Sequence, residues 1–110
     1  MAQVLDTDVV ARGGQSPMPQ AGTQFSGGYG RTLEEAAAAV VHGTIRATTA
    51  GATRAAGGRV EYAPEASYPG GPINDRHVHI TEGLGPTVFS DTFPNPVPKR
   101  DRVQGRPANQ

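Results

Sequence analysis

Apolar and polar positions divide this chain into one stretch with helical spacing, three that alternate, and two ends that do neither. Over residues 32–50, Leu33, Ala37, Val40, Val41 and Ile45 recur at the three- and four-residue intervals of one helix face, and the methyl groups of Thr44 and Thr48 continue the stripe. Thr32 and Glu35 have the spacing of a capping box, in which hydroxyl and carboxylate satisfy the first backbone N–H groups. Glu34 and Glu35 also suit the positive end of the helix dipole. Gly43 interrupts the stretch, and Gly51 is a natural stop. The pattern predicts a single helix over 32–50.

Arg59-Val60-Glu61-Tyr62-Ala63 then alternates polar and apolar, as a half-buried strand does, and Pro64 ends it. Pro69-Gly70-Gly71-Pro72 marks a turn. A second strand is expected at 76–80, with Val78 and Ile80 on one face and His77 and His79 on the other. A third is expected at 87–93. The predicted fold is α+β: one helix on a small antiparallel sheet of three or four strands. Its core is Leu33, Val40, Val41, Ile45, Val60, Tyr62, Val78, Ile80, Val88 and Phe89.

The ends differ in composition. Within residues 1–30, Gln3-Val4-Leu5 and Val9-Val10-Ala11 are short candidate strands, but Gly, Pro, Gln and Ser dominate the residues after them. Such a stretch buries too little apolar surface to offset its ordering entropy, so it is expected as an extended arm. Residues 94–110 carry Pro94, Pro96 and Pro98 and then Lys99, Arg100, Arg102 and Arg106, an extended segment followed by a basic tail. The expected organisation is an arm over 1–30, a core over 31–93 and a tail over 94–110.

Composition sharpens this picture. Hydrophobic residues are 35 % of the chain, many of them alanine, and Gly and Pro number 15 and 10. A chain of 110 residues with that balance builds one small core. The formal net charge is zero, which argues against generic nucleic-acid binding through a basic surface. Without cysteine there is neither a disulfide framework nor a thiolate metal site. No apolar run approaches the length that spans a membrane, and no secretory leader is seen at the N-terminus. A cytoplasmic or virion location is the expectation.

The chemistry concentrates at 70–83, where His77 and His79 are flanked by Asn74, Asp75, Arg76, Thr81 and Glu82. Two histidines two apart on a strand can face one metal, with Glu82, His42 or Asp75 as further ligands. The same histidines, with Glu82 or Glu61 and with Arg76 to hold a phosphate, can carry acid–base cleavage of a phosphodiester. One helix followed by strands is also the element order of small ribonuclease-like toxin domains. Gly71, five residues, then His77-Val78-His79 resembles the opening of the first cupin motif over about a dozen residues. The likeness implies a metal-binding barrel. It departs at Glu82, which stands earlier and in different strand phase from the family's acid, and no histidine follows His79.

The function expected from these features is non-enzymatic: a small structural or adaptor subunit whose arms order on assembly with copies of itself or with larger protein subunits, as in a virus particle or a bacterial assembly. Phe25 and Tyr29 in the first arm and Arg100 and Arg102 in the tail are its expected contact residues. No cofactor is expected. The alternatives are the ribonuclease-like domain acting through His77, His79, Glu82 and Arg76, and a metal-binding module built on His77 and His79.

Overall fold

A computed structural model describes residues 4–13, 22–40, 44–66, 69–83, 89–91 and 97. Its elements, in chain order, are β1 (Val9–Gly13), β2 (Gln24–Gly30), α1 (Leu33–Ala38), β3 (Ile45–Thr49), α2 (Ala50–Ala55), β4 (Arg59–Tyr62), β5 (Glu65–Ala66), β6 (Ile73–Asn74), β7 (His77–Thr81) and β8 (Ser90–Asp91). The main sheet runs β4-β7-β2-β1-β3-β8, and β5 and β6 form a separate two-stranded flap. Every pairing is antiparallel. The architecture is α+β, as the sequence pattern predicts, with two short helices and more strands than expected. Among the described residues no helix is long and apolar enough to cross a membrane.

The single helix over 32–50 is replaced by helix, strand and helix. Its start is as predicted: the Thr32 hydroxyl accepts the Glu35 N–H, and the Glu35 carboxylate accepts the Arg31 N–H. The helix ends at Ala38, ahead of a run rich in β-branched residues: Val40, Val41, Thr44, Ile45, Thr48 and Thr49. Such side chains lose rotamer freedom in a helix and pack well on a pleated surface. Ile45 to Thr49 accordingly pair with β1 along its whole length, from Ile45 opposite Gly13 to Thr49 opposite Val9. Thr49 then caps α2, its hydroxyl accepting the Ala52 N–H.

The stretch expected as an N-terminal arm supplies β1 and β2, two strands in the middle of the sheet. Its glycines fit places where neighbours come too close for a side chain. A Cβ on Gly28 would lie 2.6 Å from the Ala39 Cβ and 2.7 Å from the Ala36 carbonyl oxygen. Glycine there lets α1 lie directly on β2. Of the strand expected at 87–93, Ser90 and Asp91 form β8, and Phe89 is buried. Residues 94–110, apart from Val97, lie outside the described residues, as do His42, Arg100 and Arg102.

Each face of the sheet carries a core. On one face, α1 places Ala36, Ala37 and Val40 against Ala11 and Ile45, with Val97 packed beside them. On the other, Val10, Val60, Val78 and Ile80 meet Val4, Ala50 and Phe89, with Phe25, Tyr29 and Tyr62 packed around them. Burial of each Val or Ile contributes about 1.5–3 kcal/mol. Phe25 stacks edge-on against Phe89, and Tyr29 against Tyr62. The two aromatic residues expected at a subunit contact are thus packed within the chain. Strands β3 and β4 run parallel to each other, since β1 opposes β2 and β3 while β7 opposes β2 and β4. The crossover between them carries α2, which adds Ala50 to the second core.

Candidate metal centre

His77 lies opposite Gly28 and His79 opposite Ser26 in the register of β7 with β2. Cross-strand partners share a face, so both histidines lie on the face that α1 covers. After β4 the chain leaves the sheet at Ala63 and Pro64, forms the flap, and returns through Asp75 and Arg76 into β7. The flap brings Glu65 over the histidines. The ligand atoms of Glu65, His77 and His79 all lie within 4.8 Å of one another.

The three side chains are held differently. His77 Nδ1 lies 2.7 Å from the Ala63 carbonyl oxygen. A carbonyl only accepts, so Nδ1 carries the proton and Nε2 is the nitrogen turned outward. His77 Nε2 is 3.1 Å from Glu65 Oε1. A neutral ring with this tautomer points a lone pair at a carboxylate, and only a cation between them makes the approach attractive. That cation is a second ring proton or a metal ion. The His77 side chain is 11 % exposed and that of Glu65 is 55 % exposed, so the inner ligand is fixed and the outer one can adjust. His79 is half-buried, its ring edge-on to His77 with centroids 5.3 Å apart.

Asn74 secures the flap. It is buried, its amide donates to the Ala39 carbonyl at 2.9 Å, and its Oδ1 accepts the Arg76 N–H at 3.1 Å. Ala39 is the C-terminal cap of α1. Asn74 therefore ties flap, helix end and the turn into β7 together, and it stands opposite Glu65 in the flap pairing.

The residues singled out from sequence are only partly brought together. His77 and His79 share the site. Glu82 does not: it is 2 % exposed and interacts electrostatically with Arg12, whose guanidinium lies over the rings of Phe25 and Phe89 in the opposite core. Burial and then Arg46 pull the Arg12 guanidinium below its ordinary value, while Glu82 opposes them. Arg76 lines a separate cavity with Tyr29 and Arg31. Asp75 is exposed in the turn. Glu61 stands directly opposite His79 on β4, on the same face, and is exposed. Sequence reasoning passed over Glu65, whose placement depends on the flap. Compared with known proteins, the chain matches no family model, no curated protein and no solved structure.

Proposed function

We propose that this chain is a small metal-binding domain that holds one divalent transition-metal ion between Glu65, His77 and His79. The observation that carries this is the convergence of the three ligand groups within 4.8 Å, with His77 Nδ1 held by the Ala63 carbonyl and Nε2 turned to the Glu65 carboxylate at 3.1 Å. Metal-bound histidines characteristically donate their other ring N–H to a carbonyl or carboxylate, as Nδ1 does to Ala63. In a tetrahedral site with bonds of about 2.1 Å, ligand atoms stand about 3.4 Å apart. The His77–Glu65 pair, at 3.1 Å, is within a few tenths of an ångström of that spacing, and all three ligand atoms lie within 4.8 Å of one another. Two imidazoles and a carboxylate without thiolate suit zinc, iron(II), cobalt, nickel or manganese. Three protein ligands leave room for water or substrate on the metal, the pattern of catalytic rather than structural zinc sites.

The ribonuclease-like alternative keeps His77, His79 and Glu61 on one face, while Arg76, its phosphate-holding group, and Glu82 lie away from the histidines. The test is metal content and titration calorimetry on protein stripped with chelator and reloaded with zinc. One ion per chain is expected, with binding lost in His79→Ala and in the exposed-ligand variant Glu65→Gln. Protein that takes up no stoichiometric zinc, cobalt, nickel or manganese refutes the proposal.

Assembly remains a second reading, favoured by one observation. Among the described residues β4 ends the strand order, with β7 on one side only. An open edge is a template for another strand. Arg59 and Glu61 flank Val60 there, so antiparallel pairing of two copies about Val60 sets Arg59 of each opposite Glu61 of the other. Light scattering on the full chain decides it: a dimer dispersed by Arg59→Glu supports edge pairing, and a monomer at all concentrations ends it.

A further inference from the structure

A cavity of about 350 Å³ opens where the end of β2, the start of α1 and the turn into β7 meet, away from the histidines. Its size falls in the range of small-ligand pockets, about 300–1,000 Å³. Arg31 and Arg76 line it from one chain turn each, Asp8 and Glu35 supply two carboxylates, and Leu5 and Tyr29 supply apolar surface.

The charged groups are not paired with one another. The Asp8 carboxylate accepts the Leu5 N–H through Oδ2 at 2.9 Å, and the Glu35 carboxylate accepts the Arg31 N–H through Oε1 at 2.8 Å. Among the described residues neither the Arg31 nor the Arg76 guanidinium makes a hydrogen bond or ion pair. Asp8 is a buried residue at the cavity wall, and its carboxylate has a single backbone donor, the Leu5 N–H. A carboxylate with one backbone donor keeps acceptor capacity for a cationic donor. The two exposed arginines that line the same cavity carry forked guanidinium groups suited to a carboxylate. The lining is neutral overall, two cations against two anions, which disfavours a multiply charged anion and favours a ligand carrying both signs.

We infer that this cavity binds a small zwitterion of the α-amino acid type, its carboxylate on Arg31 and Arg76, its ammonium on Asp8 and Glu35, and an apolar side chain against Leu5 and Tyr29. The site is independent of the metal centre and stands whether or not a metal binds.

The experiment is calorimetry on the full chain with L-leucine and L-phenylalanine, each compared with its N-acetyl and its amide form. One of the free amino acids should bind at millimolar concentration or below. Blocking either charge should weaken binding about tenfold or more. Arg76→Ala and Arg31→Ala, checked for retained fold by circular dichroism, should each weaken it by a similar factor. Three results overturn the inference: neither amino acid binds, the N-acetyl form binds as well as the free one, or both arginine variants bind unchanged. The second of these would mark a simple anion site.

Discussion

Asn74→Ala tests how the flap is held, and its cost follows from the two bonds the side chain makes. The amide donates to the Ala39 carbonyl at 2.9 Å in a buried setting, and Oδ1 accepts the Arg76 N–H at 3.1 Å in a partly exposed one. Ala39 is the C-terminal cap of α1, where a helix leaves carbonyls without intrahelical partners. Losing the donor to a buried carbonyl costs about 1–3 kcal/mol, and losing the outer bond about 0.5–1.5 kcal/mol. The sum, about 2–4 kcal/mol, is a large share of the 5–15 kcal/mol typical of a domain. At roughly 4 °C per kcal/mol for a chain of this size, the melting temperature should fall by about 8–16 °C. Urea unfolding in the presence of chelator measures this without any contribution from metal. A second measurement follows from Glu65 standing opposite Asn74: a displaced flap should weaken zinc binding about 10- to 100-fold, the usual effect of losing a residue that orients a ligand. Stability within about 0.5 kcal/mol of the parent protein would refute the account of the flap. Lost stability with unchanged zinc affinity would refute only the link to Glu65.

Three further outcomes are expected. Gly28→Ala should destabilise by about 1–3 kcal/mol in urea, because its Cβ meets Ala39 and Ala36 and forces α1 off the sheet; a neutral result would mean that the helix does not lie where described. Ile80→Ala, at a fully buried site between Phe25 and Val60, should cost about 2–5 kcal/mol by the same measurement, and a loss under 1 kcal/mol would contradict a packed second core. Burial first, then Tyr62, Asp8 and Asp75, hold the Tyr29 phenol above its ordinary value, with Arg76 pulling the other way. The folded chain therefore keeps that proton more tightly than the unfolded one. The contribution is full below the unfolded value of about 10 and is lost as pH rises through the folded value. Tyr29→Phe should flatten the decline of stability above that pH, and identical alkaline slopes in the two proteins would refute the assignment.

The fold was legible where local pattern and tertiary packing agree. Alternation in Arg59 to Tyr62 and in His77 to Ile80 gave two strands in nearly their observed bounds, and the Thr32–Glu35 spacing gave the start of α1. It failed where a second signal was outweighed. Val40, Val41 and Ile45 fit a helical stripe, but Ile45 to Thr49, three of whose five residues are β-branched, extend once β1 lies beside them. β2 failed for a different reason. Gly27, Gly28 and Gly30 look like turn residues in isolation. They are needed because Ala11, Ala39 and Glu35 approach the β2 backbone so closely, which no local pattern reveals.

The same contrast governs the site. That His77 and His79 share a face follows from period two alone, and period two also separates Glu82 from them, because an odd offset along an extended chain puts a side chain on the other face. Glu82 was therefore a poor partner on the sequence itself. Its burial beside Arg12 is the structural expression of that parity. Glu65 is the harder case, since it lies outside the main sheet. Its signal was the Pro69–Pro72 turn, which stands between Glu65 and His77 and folds the intervening chain back as β5 and β6. A turn joining two short paired strands returns the first of them over the start of the next element, here the histidine strand. What the sequence did not contain was the anchor for that return. The Asn74 amide finds its acceptor 35 positions away, at the end of a helix whose length was itself misjudged. The carboxylate that completes the candidate metal centre is thus placed by a helix end, which is why local spacing around the histidines never pointed to it.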